Sequence, residues 1–336
     1  MPIYYKEEEY RKILERTDKE QKVFMPNEIF QDLIKVIDVK RSGRSSKHIA
    51  YAFSYVYLIT YLYRYAKFGG VFDFSEEELK KLLTVSPTSK GKNGVNYITK
   101  RDGVLEKLGY IEKVTDYPIT YHFLTIDKEI EFVYVSEMIE QGVPIQIKEK
   151  LKNLKNKKVN YPVKYLDNRV VKFNGDEWEQ CGILYDVSYT TEIELDIFIY
   201  CMSRKELGVE GFYLYSFIKF MNGFYGGGWN CSLAEFPRKT GMRRDVIKSR
   251  LKSLEEYGML YTSHEKYIVG LESGSNEKTK ANEYSVREYH NFVRQGEVKR
   301  FYQRGKIIGF KQHEESLKDK KEAAKIFKDD GNDALW

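Results

Sequence analysis

The sequence predicts an α+β protein made of two copies of one unit, each running through three helices into strands. Three features predict it. First, the chain matches itself. "KFGGVFDFSEEELKKLLT" (67–84) lies on "FYGGGWNCSLAEFPRKTG" (224–241) at an offset of 157, and "YITKRDGVLEKLGYI" (97–111) lies on "VIKSRLKSLEEYGML" (246–260) at an offset of 149. Second, an apolar, aromatic helix precedes each copy, over 47–66 and 208–222. Third, after Gly109 and Gly258 the hydrophobic spacing changes from helical to alternating, as expected where a helix stops and feeds a strand.

The elements follow in chain order. "KVFMPNEIF" (22–30) is read as a strand segment leading into the first copy. The run 48–63 is apolar but only 16 residues long and rich in Tyr, which falls short of a membrane span and fits a buried helix. That helix serves either an intramolecular core or a helix-to-helix contact between subunits. Ser75 and Ser232 stand where the short second helix needs an N-cap, and Glu78 and Glu235 three residues on complete a capping box. In the first copy "VSPTSKGKNG" (85–94) reads as a loop, and Gly103 sits mid-helix, where it costs up to about 1 kcal/mol relative to Ala. Gly109 and Gly258 fall where a helix end needs a left-handed residue. In the first copy a hairpin with its turn at Asp116-Tyr117-Pro118 follows. In the second, "MLYTSHEKYIVGLE", a polar loop and "EYSV" follow.

Between the copies a short helix is expected after Val135. "YPVKYL", "RVVKF" and "GILYDVSY" read as strands leading into the second copy. Residues 148–172 hold nine basic and two acidic side chains, a net of +7 in a chain whose total is +6. Such a segment suits a linker crossing a phosphate backbone, or a solvated linker. The charged end "KQHEESLKDKKEAAKIFKDDGNDALW" suggests a solvated helix and a frayed terminus. The expected division is 1–135, an N-terminal module with its leading segment; 136–176, the basic linker; 177–310, the C-terminal module; and 311–336, the charged tail.

Composition narrows the function. A hydrophobic content of 42% permits sizeable cores, and 32% charged residues with a modest positive balance permit a polyanion partner. Three widely spaced cysteines argue against a disulfide framework or Cys-rich zinc site, and the opening "MPIYYKEEEYRK" does not read as a signal peptide. No phosphate-binding G-x-x-x-x-G-K-[ST], no H-E-x-x-H, no G-x-S-x-G and no His-hydrophobe-His occurs. The reading is therefore a cytoplasmic, non-membrane protein that is not an enzyme and takes no cofactor or metal.

Helix, helix, longer helix and hairpin is the winged-helix arrangement. "CSLAEFPRKTGMRRDVIKSRLKSLEEYGML" resembles the core of bacterial winged-helix DNA-binding domains, in which an apolar helix ends in L-x-x-x-G and feeds the wing. Two such modules in one chain, each led by a strand segment, also resemble the replication initiators of plasmids and phages. The resemblance implies a fold of two winged helices joined by a basic linker. It also implies binding of double-stranded DNA at origin repeats and recruitment of a host helicase or its loader. A transcription regulator using the same modules, or a helicase-loading interaction protein that reads no DNA, are the alternatives.

The residues can be placed without the family. At 100° per residue Ile247, Leu251 and Leu254 share one face and pack the helix, while Lys248, Ser249 and Lys252 lie opposite. Arg243 and Arg244 are expected in the first turn, against the helix dipole and at the end that enters a groove. Arg243, Arg244, Lys248, Ser249 and Lys252 are the candidate DNA contacts there, with Lys278 and Lys280 in the wing loop. In the first copy Lys90, Lys92, Asn96, Thr99 and Lys100 are candidates, in either a second DNA-contacting module or a dimerisation module.

Overall fold

A computed structural model describes residues 2–19, 21–37, 39, 43–70, 72–124, 129–140, 157–264, 267–269, 281–302 and 305–329. The first half carries α1 (Glu7–Ile13), β1 (Lys22–Pro26), α2 (Ile29–Val36), α3 (Lys47–Arg64), α4 (Glu76–Leu82), α5 (Asn96–Thr99) and α6 (Val104–Lys107). Then come β2 (Glu112–Val114), β3 (Pro118–Leu124), β4 (Glu129–Tyr134), α7 (Val135–Glu140) and β5 (Val159–Tyr161). Next are α8 (Val163–Leu166), β6 (Arg169–Phe173) and β7 (Asp176–Gln180). The second half follows with β8 (Thr190–Glu194), α9 (Leu195–Met202), α10 (Gly208–Tyr225), β9 (Trp229–Cys231), α11 (Phe236–Thr240), α12 (Arg244–Glu256) and β10 (Leu260–Ser263). It closes with β11 (Tyr267–Val269), β12 (Asn282–Val286), β13 (Ile307–Gly309) and α13 (Phe310–Asp329). The protein is a mixed α+β chain with small, mostly antiparallel sheets.

The two central helices, α3 and α10, are 18 residues each and pack on one another. Every residue of α3 from His48 to Tyr63 is buried. A helix apolar all round has no solvent face to offer, and each large side chain so buried contributes about 1.5–3 kcal/mol. Phe53 meets Phe212 at 5.9 Å and Tyr213 at 5.5 Å between ring centres. The aromatic surface of α3 is therefore consumed inside the chain, and the subunit-contact reading of that helix is not met.

The repeat reaches further toward the N-terminus than self-comparison of the sequence detects. β1 leads into α2, and β8 leads into α9. The two strands pair antiparallel with Phe24 opposite Glu192 at the centre. Phe30 of α2 stacks on Phe53 at 5.0 Å, and Phe198 of α9 stacks on Tyr57 at 5.2 Å, so each flanking helix presses an aromatic ring on α3. The segment "GILYDVSY" (182–189), expected as a strand, is a turn, and the strand lies just beyond it in β8. "YPVKYL" likewise holds one turn of helix, α8, whereas "RVVKF" is the strand expected.

The helix expected to run from about 97 to its stop at Gly109 is broken. α5 ends at Thr99, Asp102 takes a positive φ of 55°, and α6 begins after Gly103. A Cβ at Gly103 would stand 2.6 Å from the Lys100 carbonyl oxygen, so this close turn needs glycine. Beyond it, β2 and β3 do not form the hairpin expected around Pro118. β2 pairs with β5, and β3 pairs with β4 as an inserted hairpin. Residues 159–161 thus belong to the first copy's sheet rather than to a linker. Gly109 and Gly258 both take the left-handed conformation expected, with φ of 70° and 71°.

The second copy is the more regular. After α10 the chain makes β9, α11, α12 and β10, and β12 returns between β9 and β10, giving the strand order β10-β12-β9. Ser232 Oγ accepts the Glu235 N–H at 3.3 Å, but the residues after it form a turn, and α11 starts only at Phe236. α13 is helical as expected. The last seven residues lie outside the described ones, as do residues 270–280 of the loop expected as a wing.

Candidate nucleic-acid interface

α12 forms because its apolar residues recur at helical spacing. Ile247, Leu251 and Leu254 are buried, as the sequence implies, while Arg243, Arg244, Lys248, Ser249 and Lys252 are all exposed. Between the two faces Arg250 anchors the helix to α10. Its Nη2 lies 2.6 Å from Glu210 Oε2, a carboxylate only 8% exposed, and Nη1 donates to the Glu206 carbonyl at 2.6 Å. A partly buried, charge-assisted pair of this kind is stronger than a surface ion pair. It fixes the rotation of α12 and so decides which face reaches solvent.

The start of α12 differs from expectation. Arg243 is the N-cap, with extended backbone, and the helix proper begins at Arg244. Its guanidinium forks onto Asp245, with Nε to Oδ1 and Nη2 to Oδ2 both at 3.1 Å. The first turn therefore holds an acid that suits the dipole, and that acid occupies one of the two arginines. Lys252 lies 3.6 Å from Glu256 one turn on. Among the described residues no partner is recorded for Arg244 or Lys248.

The turn before α12 is pressed on the other copy. Gly241 has φ of 70°, and a Cβ there would meet Ile49 Cδ1 at 2.8 Å. The Arg243 N–H then donates to Ser46 Oγ at 2.8 Å. The same end of α3 reaches the first copy's α5. Arg44 lies 4.1 Å over the Tyr97 ring, and His48 Nδ1 is 3.2 Å from the Tyr97 hydroxyl. Residues 44–48 thus touch the leading ends of α12 and α5 at once. A cavity of about 390 Å³ beside them is lined by Ser45, Lys47, His48, Ser86, Asn93 and Glu210, drawn from both copies. Burial, helped by the neighbouring Arg44, holds the His48 imidazole below its ordinary value, and a bond to the Lys92 backbone partly offsets this.

In the first copy Lys90, Lys92, Asn96 and Lys100 are exposed. Asn96 is not free, since its Oδ1 accepts from Lys80 Nζ at 2.6 Å. Thr99 is withdrawn from the surface. It is 2% exposed and donates to Glu76 Oε2 at 3.2 Å, because the break at Lys100 turns it inward onto α4. Lys278 and Lys280 lie outside the described residues. The described part of the basic run is largely engaged within the fold. Lys157 pairs with Asp73 at 2.8 Å, Lys164 lies 3.5 Å from Glu28, Arg169 is buried, and Lys172 pairs with Glu177. It is not a bare cationic strip.

Sequence reasoning passed over Arg44 and Lys47. The signal was present in "SGRSSKH", a basic stretch just ahead of a helix. What it lacked was any hint that this stretch meets Arg243, roughly two hundred residues away.

Among the described residues no group of His, Cys, Asp or Glu could hold a metal ion, and no helix is long and apolar enough to cross a membrane. The three cysteines are unpaired thiols, two of them buried. No family model, curated protein or solved structure matches this chain.

Proposed function

We propose that this chain is a DNA-binding replication initiator of a plasmid or phage, whose second copy is a winged helix that lays α12 in the major groove. One observation carries the reading. α12 follows α11 across a tight Gly241 turn, packs on α10 and runs into β10 of the sheet β10-β12-β9, and turns Arg244, Lys248 and Ser249 outward while Ile247, Leu251 and Leu254 pack inward. That is the placement a recognition helix needs, because its N-terminal residues meet base edges. Arg244 would take guanine O6 and N7, a contact worth about 1–3 kcal/mol, and Lys248 would serve a phosphate or a base edge. Arg243 would join them by exchanging Asp245 for the duplex.

The tandem arrangement supports an origin with repeated sites as the target, in line with the resemblance to initiators. The exposed Lys90, Lys92 and Lys100 of the first copy are the cations that would meet phosphates beside the same duplex. Selection of bound fragments from random duplex DNA tests the reading. The wild type should enrich one sequence, Arg243→Ala with Arg244→Ala should not, and the enriched site should recur as repeats in or beside the coding sequence. Absence of enrichment at any salt concentration would rule the reading out.

A further inference from the structure

The stretch between the copies exposes a dense group of large apolar side chains. Within residues 170–189 Phe173, Trp178, Tyr185 and Tyr189 stand in solvent, Trp178 57% exposed and Tyr185 56%. β6 and β7 pair with Val171 opposite Trp178 and Phe173 opposite Asp176, so these side chains share one face of the hairpin. The Tyr189 ring returns to that face, 5.5 Å from Phe173.

The base of this same face, at Arg169 and Val171, is anchored in the protein. Arg169, buried, donates from Nη2 to Gln180 Oε1 at 3.0 Å and to the Ser188 carbonyl, which ties the hairpin to the loop that follows it. Ser188 N–H in turn donates to Asp186 Oδ1 at 2.8 Å. A partner meets a preformed patch and does not have to order it.

Charge decides the kind of partner. Residues 167–189 carry Asp167, Asp176, Glu177, Glu179 and Asp186 against only Arg169 and Lys172. Arg169 is buried and Lys172 is paired with Glu177. Asp176 shares the face of Phe173 and Trp178, and Asp186 lies in the loop between Tyr185 and Tyr189, while Glu177, paired with Lys172, and Glu179 lie on the reverse face. The aromatic patch therefore carries carboxylate with no free cation on its own face, in a chain whose net charge is +6. A phosphate backbone is repelled there, and the same patch on a second copy meets its own sign. Exposed Trp and Tyr rings are the side chains that anchor protein interfaces and accept Arg or Lys over their faces.

We propose that the β6–β7 hairpin with Tyr189 is a docking surface for a partner protein that presents arginine or lysine beside apolar residues. The site is separate from α12 and does not depend on DNA binding. The test uses the full chain and a labelled synthetic peptide of alternating arginine and leucine, with glutamate–leucine and arginine–serine peptides beside it. Fluorescence anisotropy should show that only arginine–leucine binds well, more weakly as salt rises, and that Trp178 emission moves to the blue. Trp178→Ser with Tyr189→Ser should weaken it by about tenfold or more, whereas Arg243→Ala with Arg244→Ala should not. Equal binding of the glutamate–leucine peptide, or unchanged affinity in the Trp178→Ser, Tyr189→Ser variant, overturns the proposal. A dimer in sedimentation that the same variant disperses also overturns it, by naming a second copy as the occupant.

Discussion

The hydroxyl of Ser46 accepts the backbone N–H of Arg243 at 2.8 Å, joining residues 197 positions apart. Ser46 is fully buried at the head of α3, and Arg243 is the N-cap of α12, where no side chain of its own segment caps the helix. One copy of the unit thus supplies the contact that fixes the start of the other copy's candidate reading helix. The rotation of α12 is fixed separately, by Arg250 on Glu210.

Ser46→Ala leaves the partly buried Arg243 N–H without its acceptor. The expected loss is about 1–2 kcal/mol of stability, comparable to removal of a helix cap. The midpoint of urea unfolding measures it. A change within error would mean that water replaces the hydroxyl at no cost.

Asp245 holds Arg243 through two hydrogen bonds, so in the proposed DNA-binding role it competes with the duplex for that arginine. Exposed pairs of this type are weak, so Asp245→Asn should free the arginine and remove a repelling charge without disturbing the fold. Affinity for duplex DNA at moderate salt should rise roughly two- to fivefold. Weaker binding would indicate that the fork onto Asp245 preorganises Arg243 for its target.

The two helix-ending glycines differ in surroundings, although their φ values agree. Around Gly109 a Cβ meets nothing within 4 Å, while at Gly258 it would lie 3.0 Å from both the Arg300 guanidinium and the Asn291 carbonyl. Gly109→Ala should therefore cost only the left-handed backbone penalty of about 1–2 kcal/mol. Gly258→Ala should cost about 1 kcal/mol more, because the Asn291 backbone cannot swing away. Denaturant titrations of the two variants would separate these contributions.

His48 is buried between the copies, and its pKa is held below the ordinary 6.5 by burial and by Arg44. The unfolded chain therefore takes up a proton at a higher pH than the folded one. The stability tied to neutral His48 is complete above about pH 6.5 and is lost as pH falls through that value toward the folded pKa. The unfolding midpoint of the wild type should drop between pH 7.5 and pH 5.5. His48→Gln should show a shallower drop over the same window.

Local pattern made much of this legible beforehand. The packing face of α12, the left-handed Gly109 and Gly258, the burial of 48–63 and the Ser75 cap each depend on residues within a turn or two. Ser75 Oγ does accept from Glu78 N at 3.4 Å. The misreadings share the opposite cause. In sequence Gly103 reads as a helical residue, but the carbonyls of Tyr97, Ile98 and Lys100 crowd it, and the chain turns there instead. Helical spacing puts Thr99 on the open face of a continuous helix, whereas the break turns it onto α4. The β2 partner lies beyond an inserted hairpin, in a stretch that composition alone marks as a charged linker. The strand ahead of the first copy is legible in sequence, but β8 lies just beyond the "GILYDVSY" expected for the second, and its pairing with β1 has no local signature. The contact of Ser46 with Arg243 has no local signature at all.

Under the proposed function, the outward face of α12 binds duplex DNA. The most direct test of that binding is the affinity of the selected duplex as a function of salt, for the wild type and for Arg243→Ala with Arg244→Ala, both confirmed to unfold at matching urea midpoints. The wild type should bind, with affinity falling steeply as salt rises. The double variant should bind at least about tenfold more weakly, with the log–log slope reduced by about 1 to 2. Equal affinities and equal slopes for the two proteins would show that α12 does not read the duplex.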